Sequence, residues 1–332
     1  MAGPPSGLAP TETQLMRKTL PRLSVFVMGG TGFIGKHLTA RLVRAGHDVT
    51  VLTRSRANHR DMLVLPTLRL IEGDPYDVDT VTQVLSGCDA VVNLIGIGNE
   101  SRRGNNSFQR AHVELTQQLV TACGNAGTRR LVQLSALKAD PGGASAFLRT
   151  KGKADEIVRQ SGLDWTILQP SVVFGPQDKL INRLASLLIR LPVIPLPRAN
   201  ARLAPVFVGD VAEATLRVVR GRSSIGKTYE LCGPRVFSLR EIVQLAAQAS
   251  GRRRLIVPLS SSSSRLMSRL LELVPGKPFS LDNYLTLSVH SICSSGAPGL
   301  RDLGIEPNAF EPSVQSQLRR MRKHHSVPDS GN

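Results

Sequence analysis

The sequence predicts an α/β fold, a doubly wound parallel sheet followed by a small C-terminal α/β lobe. Three observations lead to this prediction. Strand-like and helix-like segments alternate five times between residues 23 and 135, as expected for a parallel sheet covered by helices. The fourth strand-like run, residues 90–95, is almost entirely apolar, as a strand buried on both faces should be. Beyond residue 176 the alternation becomes irregular, which indicates a second, smaller unit.

A glycine motif joins the first strand to the first helix. The apolar run Val25–Met28 precedes it, and apolar residues at helical spacing follow it. In the spacing G-x-x-G-x-x-G the first glycine makes a tight turn, the second admits a pyrophosphate, and the third lets helix pack on strand. The helix N-terminus then favours the phosphate anion. The motif predicts a Rossmann-like nucleotide-binding domain whose cofactor contacts come from Gly29, Thr31, Gly32, Phe33, Ile34 and Gly35.

The end of the second predicted strand, Asp48–Thr53, indicates which nucleotide binds. A carboxylate at this place usually holds the ribose 2′-hydroxyl of NAD, whereas an arginine accommodates the 2′-phosphate of NADP. Asp48 stands at the wrong end of the strand, and Arg54 follows the correct end. The sequence therefore favours NADP(H) over NAD(H), with a solvated loop arginine as the alternative reading of Arg54.

Two further strand ends are expected at the same site. Asp74 follows the third strand, Leu68–Ile71, and is placed beside an adenine. Leu94, Ile95 and Gly96 close the fourth strand, where the backbone can approach a ribose. Carboxyl ends of parallel strands are where ligands bind in such sheets.

The composition describes an ordinary globular protein with a strongly basic balance. The chain has 332 residues, 41% of them hydrophobic, and a net charge of +17. Such a charge attracts anionic partners, among them lipid surfaces and acidic proteins; a solvated surface rich in arginine is the plain alternative. Aromatic residues are only 4% of the chain and do not alternate with basic ones, so no specific nucleic-acid site is expected.

The cysteines and the apolar runs limit which classes of protein the sequence fits. Cys88, Cys123, Cys232 and Cys293 are far apart and form no C-x-x-C pair, which argues against a metal site and against a disulfide framework. No apolar run approaches the roughly 20 residues that span a bilayer. Residues 1–22 lack the apolar core of a secretory signal, so the protein is expected not to be secreted.

Later segments identify a family. Ser135 ends the fifth strand, Lys151 lies on the next helix, and residues 169–176 read Gln-Pro-Ser-Val-Val-Phe-Gly-Pro. With the glycine motif, these segments resemble the extended and atypical short-chain dehydrogenase/reductase superfamily over most of residues 23–310. Residues 91–96, 134–137, 205–212 and 295–305 resemble more narrowly the branch of the nucleotide-binding accessory subunit of respiratory complex I, alpha-subcomplex subunit nine.

The resemblance implies further contacts, partners and a location. Cofactor contacts are expected from Ser135, Lys151, Pro170, Val172 and Val173. Complex I subunits are the expected partners, an anionic membrane surface is a candidate partner, and a quinone or lipid is a candidate occupant of the pocket. The implied location is peripheral on the inner membrane, on the cytoplasmic side in a bacterium or the matrix side in a mitochondrion.

One departure from the family pattern concerns the chemistry. The superfamily's catalytic tyrosine stands four residues before the lysine, and this chain has Phe147 there. A phenyl ring cannot transfer the proton that a phenol donates in general acid/base catalysis. Ser135 and Lys151 are thus remnants that can bind the nicotinamide ribose without turnover, no catalytic residue is assigned, and enzymatic activity stays open.

The expected domains follow from these segments. Residues 1–22 form a disordered basic tail, residues 23–176 the nucleotide-binding domain, and residues from about 204 to 232 complete its sheet. Residues 177–203 and 233–312 form the lobe, and residues 313–332 a basic tail. Within the lobe, residues 238–241 read as a capping box, and the helix near residues 265–274 faces either the core or a lipid or protein partner.

These observations support three hypotheses. The favoured one is a non-catalytic, NADP(H)-binding accessory or assembly subunit of complex I, in which the nucleotide braces the fold. The second is an active NADP(H)-dependent reductase or epimerase that uses an acid other than tyrosine. The third is an NADP(H)-sensing regulator that binds a nucleic acid or an acidic partner through its basic surface.

Overall fold

The computed structural model describes residues 21–100, 107–178, 181, 184, 187–188, 190–251, 254–272, 279–312 and 314–315. The two predicted basic tails lie almost entirely outside the described residues, as do residues 101–106 of the loop after the fourth strand.

A seven-stranded sheet, parallel throughout, forms the centre of the fold. Its strands are β1 (Ser24–Met28), β2 (Asp48–Thr53), β3 (Leu68–Glu72), β4 (Ala90–Asn93), β5 (Arg130–Leu134), β6 (Asp164–Pro170) and β11 (Lys227–Leu231). They lie in the order β11-β6-β5-β4-β1-β2-β3, so the predicted Rossmann-like sheet is confirmed. The glycine motif follows β1, which lies inside the sheet between β4 and β2, where the strand order reverses direction.

Helices cover both faces of this sheet because side chains alternate along each strand. Val25 and Val27 share one apolar core with helices α1 and α5, whereas Phe26 and Met28 pack in another with α2, α3 and α4. These helices are α1 (Phe33–Arg44), α2 (Val78–Leu85), α3 (Leu115–Ala126), α4 (Ala146–Gln160) and α5 (Val208–Arg220). Single turns of 3-10 helix span Arg222–Ser224 and Arg301–Leu303, a longer 3-10 segment with a kink at His59 spans Ala57–Val64, and a π-helical turn spans Gln109–Glu114.

The lobe has a core of its own, built around the rings of Phe174, Phe237 and Phe310. Three two-stranded sheets belong to this region, pairing β10 with β7, β12 with β9, and β13 with β8. Its strands and helices are β7 (Val173–Phe174), β8 (Val193–Leu196), β9 (Arg202–Leu203), β10 (Val206–Phe207), β12 (Phe237–Ser238), α6 (Leu239–Ala249), β13 (Leu255–Pro258), α7 (Ser261–Leu271) and α8 (Leu281–Thr286). The predicted capping box opens α6: Ser238 and Glu241 bond each other's backbone N–H groups.

The expectation that the cysteines form no disulfide is wrong. Cys232 and Cys293 are joined, although 61 residues separate them in sequence. Cys232 follows the end of β11, and the segment after α8 returns beside that strand: the backbone N–H of Ser294 donates to the Glu230 carboxylate. Spacing along the chain gave no sign of the pair because tertiary structure alone brings the two thiols together. Cys88 and Cys123 remain free.

Within the part of the chain that the structure describes, no helix combines the length and apolarity needed to cross a bilayer. The same residues include no cluster of three or more His, Cys, Asp or Glu side chains placed to hold a metal ion.

Candidate functional site

The glycine turn leaves the N-terminus of α1 open to a ligand. Gly29 adopts the left-handed region, with φ of 76°, and its carbonyl accepts a 3.0 Å hydrogen bond from the backbone N–H of Gly32. Gly32 then caps α1, and among the described residues no side chain bonds the free N–H groups of its first turn, which also holds no acidic residue. These unpaired donors and the helix dipole form a site for an anion.

The glycines of the motif differ in what a side chain would meet. A Cβ atom at Gly35 would lie 2.2 Å from the Gly29 carbonyl oxygen, so only glycine lets helix and turn pack. At Gly32 the Cβ meets only that same oxygen, at 3.2 Å, and the remaining space is open. Gly35 is therefore needed by the fold, whereas Gly32 keeps space free for something outside the chain.

The predicted site residues lie along one edge of the sheet. Gly29, Arg54, Asp74, Leu94 and Ser135 each follow or close the carboxyl end of one of the strands β1 to β5. The Leu94 N–H continues the ladder by donating to the Met28 carbonyl at 2.9 Å, and the Ser135 N–H donates to that of Leu168 at 2.8 Å. The topology thus brings the cofactor residues predicted from separate segments to a common edge.

A cluster of basic and aromatic groups marks the β2–β3 end of this edge. The guanidinium of Arg110 stacks on the Tyr76 ring, 4.3 Å from its centroid. Burial raises the pKa of the Tyr76 phenol, and the positive charges of Arg110 and Arg54 oppose the rise. Arg54 itself is exposed. Glu72 is paired with Thr53 across the end of β2, and its carboxylate accepts a 2.9 Å hydrogen bond from the Arg56 N–H.

A pocket with a cavity volume of about 270 Å³ opens beyond the fifth strand, between the sheet edge and the lobe. Most of its wall is apolar. The sequence-predicted residues that line it are Ile34, Ser135, Phe147, Pro170, Val172 and Val173. From the lobe side it is closed by Leu203, Thr286, Leu287, Val289 and Ser291. The pocket therefore joins the C-terminal half of the predicted cofactor site to the lobe.

Phe147 belongs to a three-ring cluster at the pocket wall. Its ring meets those of Phe108 and His112 edge to face, with centroids 5.8 and 5.6 Å away. Burial lowers the pKa of His112 to about 2, so the imidazole is neutral. Its Nε2 accepts from the Ile97 N–H, which leaves the proton on Nδ1, facing the Thr150 hydroxyl at 2.9 Å. Both ring nitrogens are thus engaged within the protein.

Lys151 lies under the same wall rather than at the surface. Its Nζ donates to the carbonyls of Leu134 at 3.0 Å and Ile95 at 3.5 Å. Burial lowers the pKa of this ammonium to about 8, and the nearby charge of Asp155 partly offsets the effect. A Cβ atom at Gly96 would lie 3.1 Å from Nζ, so the predicted residues Gly96 and Lys151 are direct neighbours.

A buried carboxyl group, which the sequence did not reveal, supports Ser135. Oδ2 of Asp155 accepts hydrogen bonds from the Ser135 hydroxyl at 2.7 Å and from the Gln169 amide at 3.0 Å. Its Oδ1 is buried without a hydrogen-bond partner among the described residues. Burial raises the pKa of Asp155 to about 6. Asp155 stands one helical turn after Lys151, and this i, i+4 spacing was its only sequence signal.

Three other residues of the site also had no clear signal in the sequence. Arg110 and His112 lie on the π-helical turn Gln109–Glu114, where the extra backbone residue shifts the helical register. A helical reading of the sequence therefore could not tell which side chains face the sheet edge. Tyr76 lies in the loop after β3, where no periodic pattern exists.

Comparisons with known proteins agree with this geometry. A family model described as NAD(P)H-binding matches residues 29–181, from the glycine turn to the pocket wall. NADH dehydrogenase (ubiquinone) 1 alpha subcomplex subunit 9, a mitochondrial protein of Rattus norvegicus, is 28% identical over 315 residues, which are 93% of this chain and 83% of the rat protein. Its Arabidopsis thaliana counterpart is 29% identical over 323 residues, covering 92% of this chain and 80% of its own.

A solved structure has a similar fold. The NADPH-dependent quinone oxidoreductase of Escherichia coli, complexed with NADPH, superimposes with a TM-score of 0.72 over 88% of this chain and 99% of its own length. The identity is 18%, so this likeness concerns the fold alone.

Proposed function

From the chain's membership of the extended and atypical short-chain dehydrogenase/reductase superfamily, related to the complex I accessory-subunit branch, we propose that it is a non-catalytic, NADP(H)-binding subunit of respiratory complex I. The proposal has four parts: the absence of turnover, the preference for NADP(H), the bracing role of the nucleotide, and the association with complex I.

The absence of turnover rests on one observation. The ring of Phe147 occupies the wall position where the superfamily places its proton-donating phenol. The neighbouring candidates for a replacement acid are engaged: His112 is neutral with both nitrogens bonded, and Ser135 donates to Asp155. Among the residues that line the pocket, Lys138 alone carries a titratable side chain, and that ammonium bonds the Ser294 hydroxyl at 2.7 Å.

The preference for NADP(H) rests on Arg54 at the end of β2, with Arg110 as a second cation nearby. Paired guanidinium groups suit a 2′-phosphate. The Glu72 carboxylate is held by a backbone N–H at this end, so it is less available to a ribose hydroxyl. The other contacts proposed from the sequence, at Thr31, Phe33, Asp74, Ile95 and Gly96, extend along the same edge.

The nucleotide acts as a structural brace in this proposal. The residues proposed to bind the nucleotide come from both the sheet edge and the pocket wall. The nucleotide therefore connects the main sheet to the C-terminal lobe. A ligand present at a thousand times its Kd stabilises the folded state by about 4 kcal/mol. This contribution explains why a site would persist without turnover.

Association with complex I is proposed from the relatives that carry that name and from the extent of the match. In this proposal the protein lies peripherally on the inner membrane, and the apolar pocket accepts the nicotinamide end, with a quinone or lipid tail as a further candidate occupant. Native mass spectrometry of the purified protein tests the bound nucleotide, and co-purification with complex I from gently solubilised membranes tests the partner. Protein free of nucleotide and of complex I would contradict the proposal.

A second candidate is an active NADP(H)-dependent reductase, and one contact favours it. Ser135 lines the pocket while its hydroxyl bonds the Asp155 carboxyl, whose pKa is about 6. Such a pair can pass a proton to a carbonyl substrate through the serine hydroxyl. Substrate-dependent NADPH oxidation that is lost in Asp155→Asn, with nucleotide still bound, would favour this candidate over the first.

A further inference from the structure

Helix α7 buries two serine side chains and turns two of its leucines toward solvent, while Met267 and Leu271 are half-buried. Its fully buried side chains are Ser264 and Ser268, at 1% and 0% exposure. Its leucines at positions 266 and 270 are 60% and 57% exposed. A helix in a soluble protein ordinarily turns its apolar stripe inward. The core-facing alternative from the sequence is therefore wrong for Leu266 and Leu270.

The buried serines are satisfied within the chain. Ser268 donates to the Ser264 carbonyl at 2.6 Å, and the Ser264 hydroxyl bonds the Leu259 carbonyl at 3.4 Å. Burying them thus leaves no polar group unpaired. The outward leucines, by contrast, contribute nothing to the core, so their exposure is not explained by the fold of the monomer.

Two arginines lie beside the exposed leucines. Arg265 and Arg269 are both exposed, and the spacing i, i+4 places them in a row next to the leucine row. Neither forms a hydrogen bond or ion pair with any described residue. Together with the hydroxyl-bearing Ser261 and Ser262 they border an open cleft with a volume of about 350 Å³.

The lobe collects most of the apolar exposure of the molecule. Of the ten large hydrophobic side chains found exposed in the described residues, eight lie in the lobe segments 177–203 and 233–312. They are Leu187, Leu191, Val193, Val236, Leu255, Val257, Leu266 and Leu270. Exposed apolar groups concentrated on one part of a surface indicate a contact with a partner or a membrane.

We propose that the α7 face, defined by Arg265, Leu266, Arg269 and Leu270, docks on the surface of an anionic phospholipid bilayer. The leucine side chains enter the boundary between headgroups and acyl chains, and the guanidinium groups bind lipid phosphates from the cleft beside them. The exposed leucines suit the apolar acyl-chain region of such a bilayer, and the unpaired arginines beside them suit its negatively charged headgroups.

Charge argues for a bilayer and against a second copy of this chain as the occupant. The protein carries a net charge of +17, so two copies facing each other through this arginine row repel, whereas an anionic bilayer attracts the row. This inference deepens the peripheral location in the proposed function and rests on that part of it. It needs no contact with complex I.

Vesicle binding of the purified full-length protein tests the proposal. Vesicles are made of phosphatidylcholine alone or of equal parts phosphatidylcholine and phosphatidylglycerol, and the bound fraction is measured by sedimentation at low and high salt. We expect binding to the mixed vesicles only. Because each surface cation contributes about 1 kcal/mol, the double variant Arg265→Glu, Arg269→Glu should bind at least about tenfold more weakly.

The apolar part is tested separately. Leu266→Gln together with Leu270→Gln keeps good helix formers in α7 and should also lower the bound fraction several-fold. Matched controls make the same changes elsewhere: Leu63→Gln with Val64→Gln, at exposed apolar residues outside the lobe, and Arg222→Glu with Arg240→Glu, at exposed arginines outside α7. Both controls should bind like the unmutated protein, and unchanged thermal melting verifies the fold of every variant.

Each other outcome overturns the proposal. Equal binding by the α7 variants and the controls would show that overall charge, not this face, attracts the bilayer. Binding to native membranes but not to protein-free vesicles would assign the face to a protein partner. Retained nucleotide and co-purification with complex I are measured on the same samples. If the protein keeps its nucleotide and complex I but does not bind vesicles, this inference alone is wrong. If it binds vesicles but does not co-purify with complex I, only the proposed partner is wrong.

Discussion

The Ser135 hydroxyl donates a 2.7 Å hydrogen bond to Oδ2 of Asp155, a carboxyl group buried behind the wall of the pocket. Gln169 donates to the same oxygen, and the Lys151 ammonium lies one helical turn away on α4. A serine that the superfamily keeps at its reaction centre is thus part of an internal polar network that links strands β5 and β6 to α4.

This network predicts a dependence of stability on pH. Burial raises the pKa of Asp155 to about 6 in the folded protein, from the ordinary value of 3.8 for an aspartate. Between these values the folded chain holds a proton that the unfolded chain has lost, so stability falls as pH rises through this window, by up to ~3 kcal/mol. Asp155→Asn should remove this fall, as measured by urea unfolding at several pH values.

Asp79→Asn, at an exposed position on α2, is the matched control and should retain the fall. A flat profile in the unmutated protein would contradict a raised pKa at Asp155.

The glycine turn gives a prediction that separates binding from folding. At Gly32 a Cβ atom meets only the Gly29 carbonyl oxygen, at 3.2 Å, whereas at Gly35 it would lie 2.2 Å from that atom. Gly32→Val should therefore leave the secondary structure intact and abolish nucleotide retention, because the side chain fills the space for the pyrophosphate and its branched Cβ is stiff. Gly35→Ala should unfold or strongly destabilise the protein.

Nucleotide retention is measured by mass spectrometry, and melting is followed by circular dichroism. The nucleotide brace adds a second expectation: Gly32→Val should melt at a lower temperature than the loaded protein and at the same temperature as protein stripped of nucleotide. Full retention of nucleotide in Gly32→Val would place the binding site elsewhere.

Arg54 carries the prediction on cofactor choice. Because its guanidinium and that of Arg110 both lie near Tyr76, beyond the ends of β2 and β3, the affinity for NADPH should exceed that for NADH. Arg54→Ala should remove most of this difference, on the order of a tenfold or larger loss for NADPH, with little change for NADH. Arg222→Ala, an exposed arginine of the 3-10 turn Arg222–Ser224, should change neither affinity in calorimetric titrations. Equal affinity of the unmutated protein for both nucleotides would refute the assignment.

The sequence predicted the features that depend on local structure, and it did not predict those that depend on tertiary contacts. The alternation of apolar runs and helical patterns was enough for the parallel sheet, and the glycine spacing was enough for the turn, because both depend on local periodicity and local dihedral angles. The capping box at Ser238 is local in the same sense, and it was found.

The interior of the site was not predictable in this way. Asp155, His112 and Arg110 become relevant only after β4, β5 and α4 come together, and the π-helical turn moves two of them out of ordinary helical register. The exposure of Leu266 and Leu270 is similar: their spacing suits a core, and only the packing of the lobe turns them outward. The Cys232–Cys293 pair depends on the return of a distant segment to β11.

That disulfide yields a prediction on stability. It closes a span of 61 residues, and the chain-entropy model assigns about 4 kcal/mol to a loop of this length. Cys232→Ser should lower the free energy of unfolding by about 2–4 kcal/mol, and dithiothreitol should have the same effect on the unmutated protein but none on the variant. Cys88→Ser, at a free half-buried cysteine, is the control and should remain sensitive to dithiothreitol. A melting temperature that does not respond to the reductant would show that the pair is not joined in solution.

The last prediction concerns turnover at Phe147. The ring lines the pocket and packs against His112, whose nitrogens are both bonded within the protein, so this imidazole does not replace the missing phenol. NADPH bound to the unmutated protein should therefore not be oxidised above background by aldehydes, ketones or nucleotide sugars. Phe147→Tyr places a proton donor one helical turn before Lys151 on α4, where the positive charge of the ammonium lowers the pKa of a phenol beside it, and should yield weak but measurable oxidation.

The double variant Phe147→Tyr, Lys151→Met controls for a phenol that acts without the ammonium, and it should return to background while nucleotide retention is followed in parallel. A general acid contributes about 10² to 10⁴ in rate, so activity in Phe147→Tyr well above background and absent from the unmutated protein would trace the loss of turnover to this one ring. Rapid substrate-dependent oxidation by the unmutated protein would contradict the non-catalytic proposal directly, because it would require an acid other than the one Phe147 replaces, with the Ser135–Asp155 pair as the first candidate.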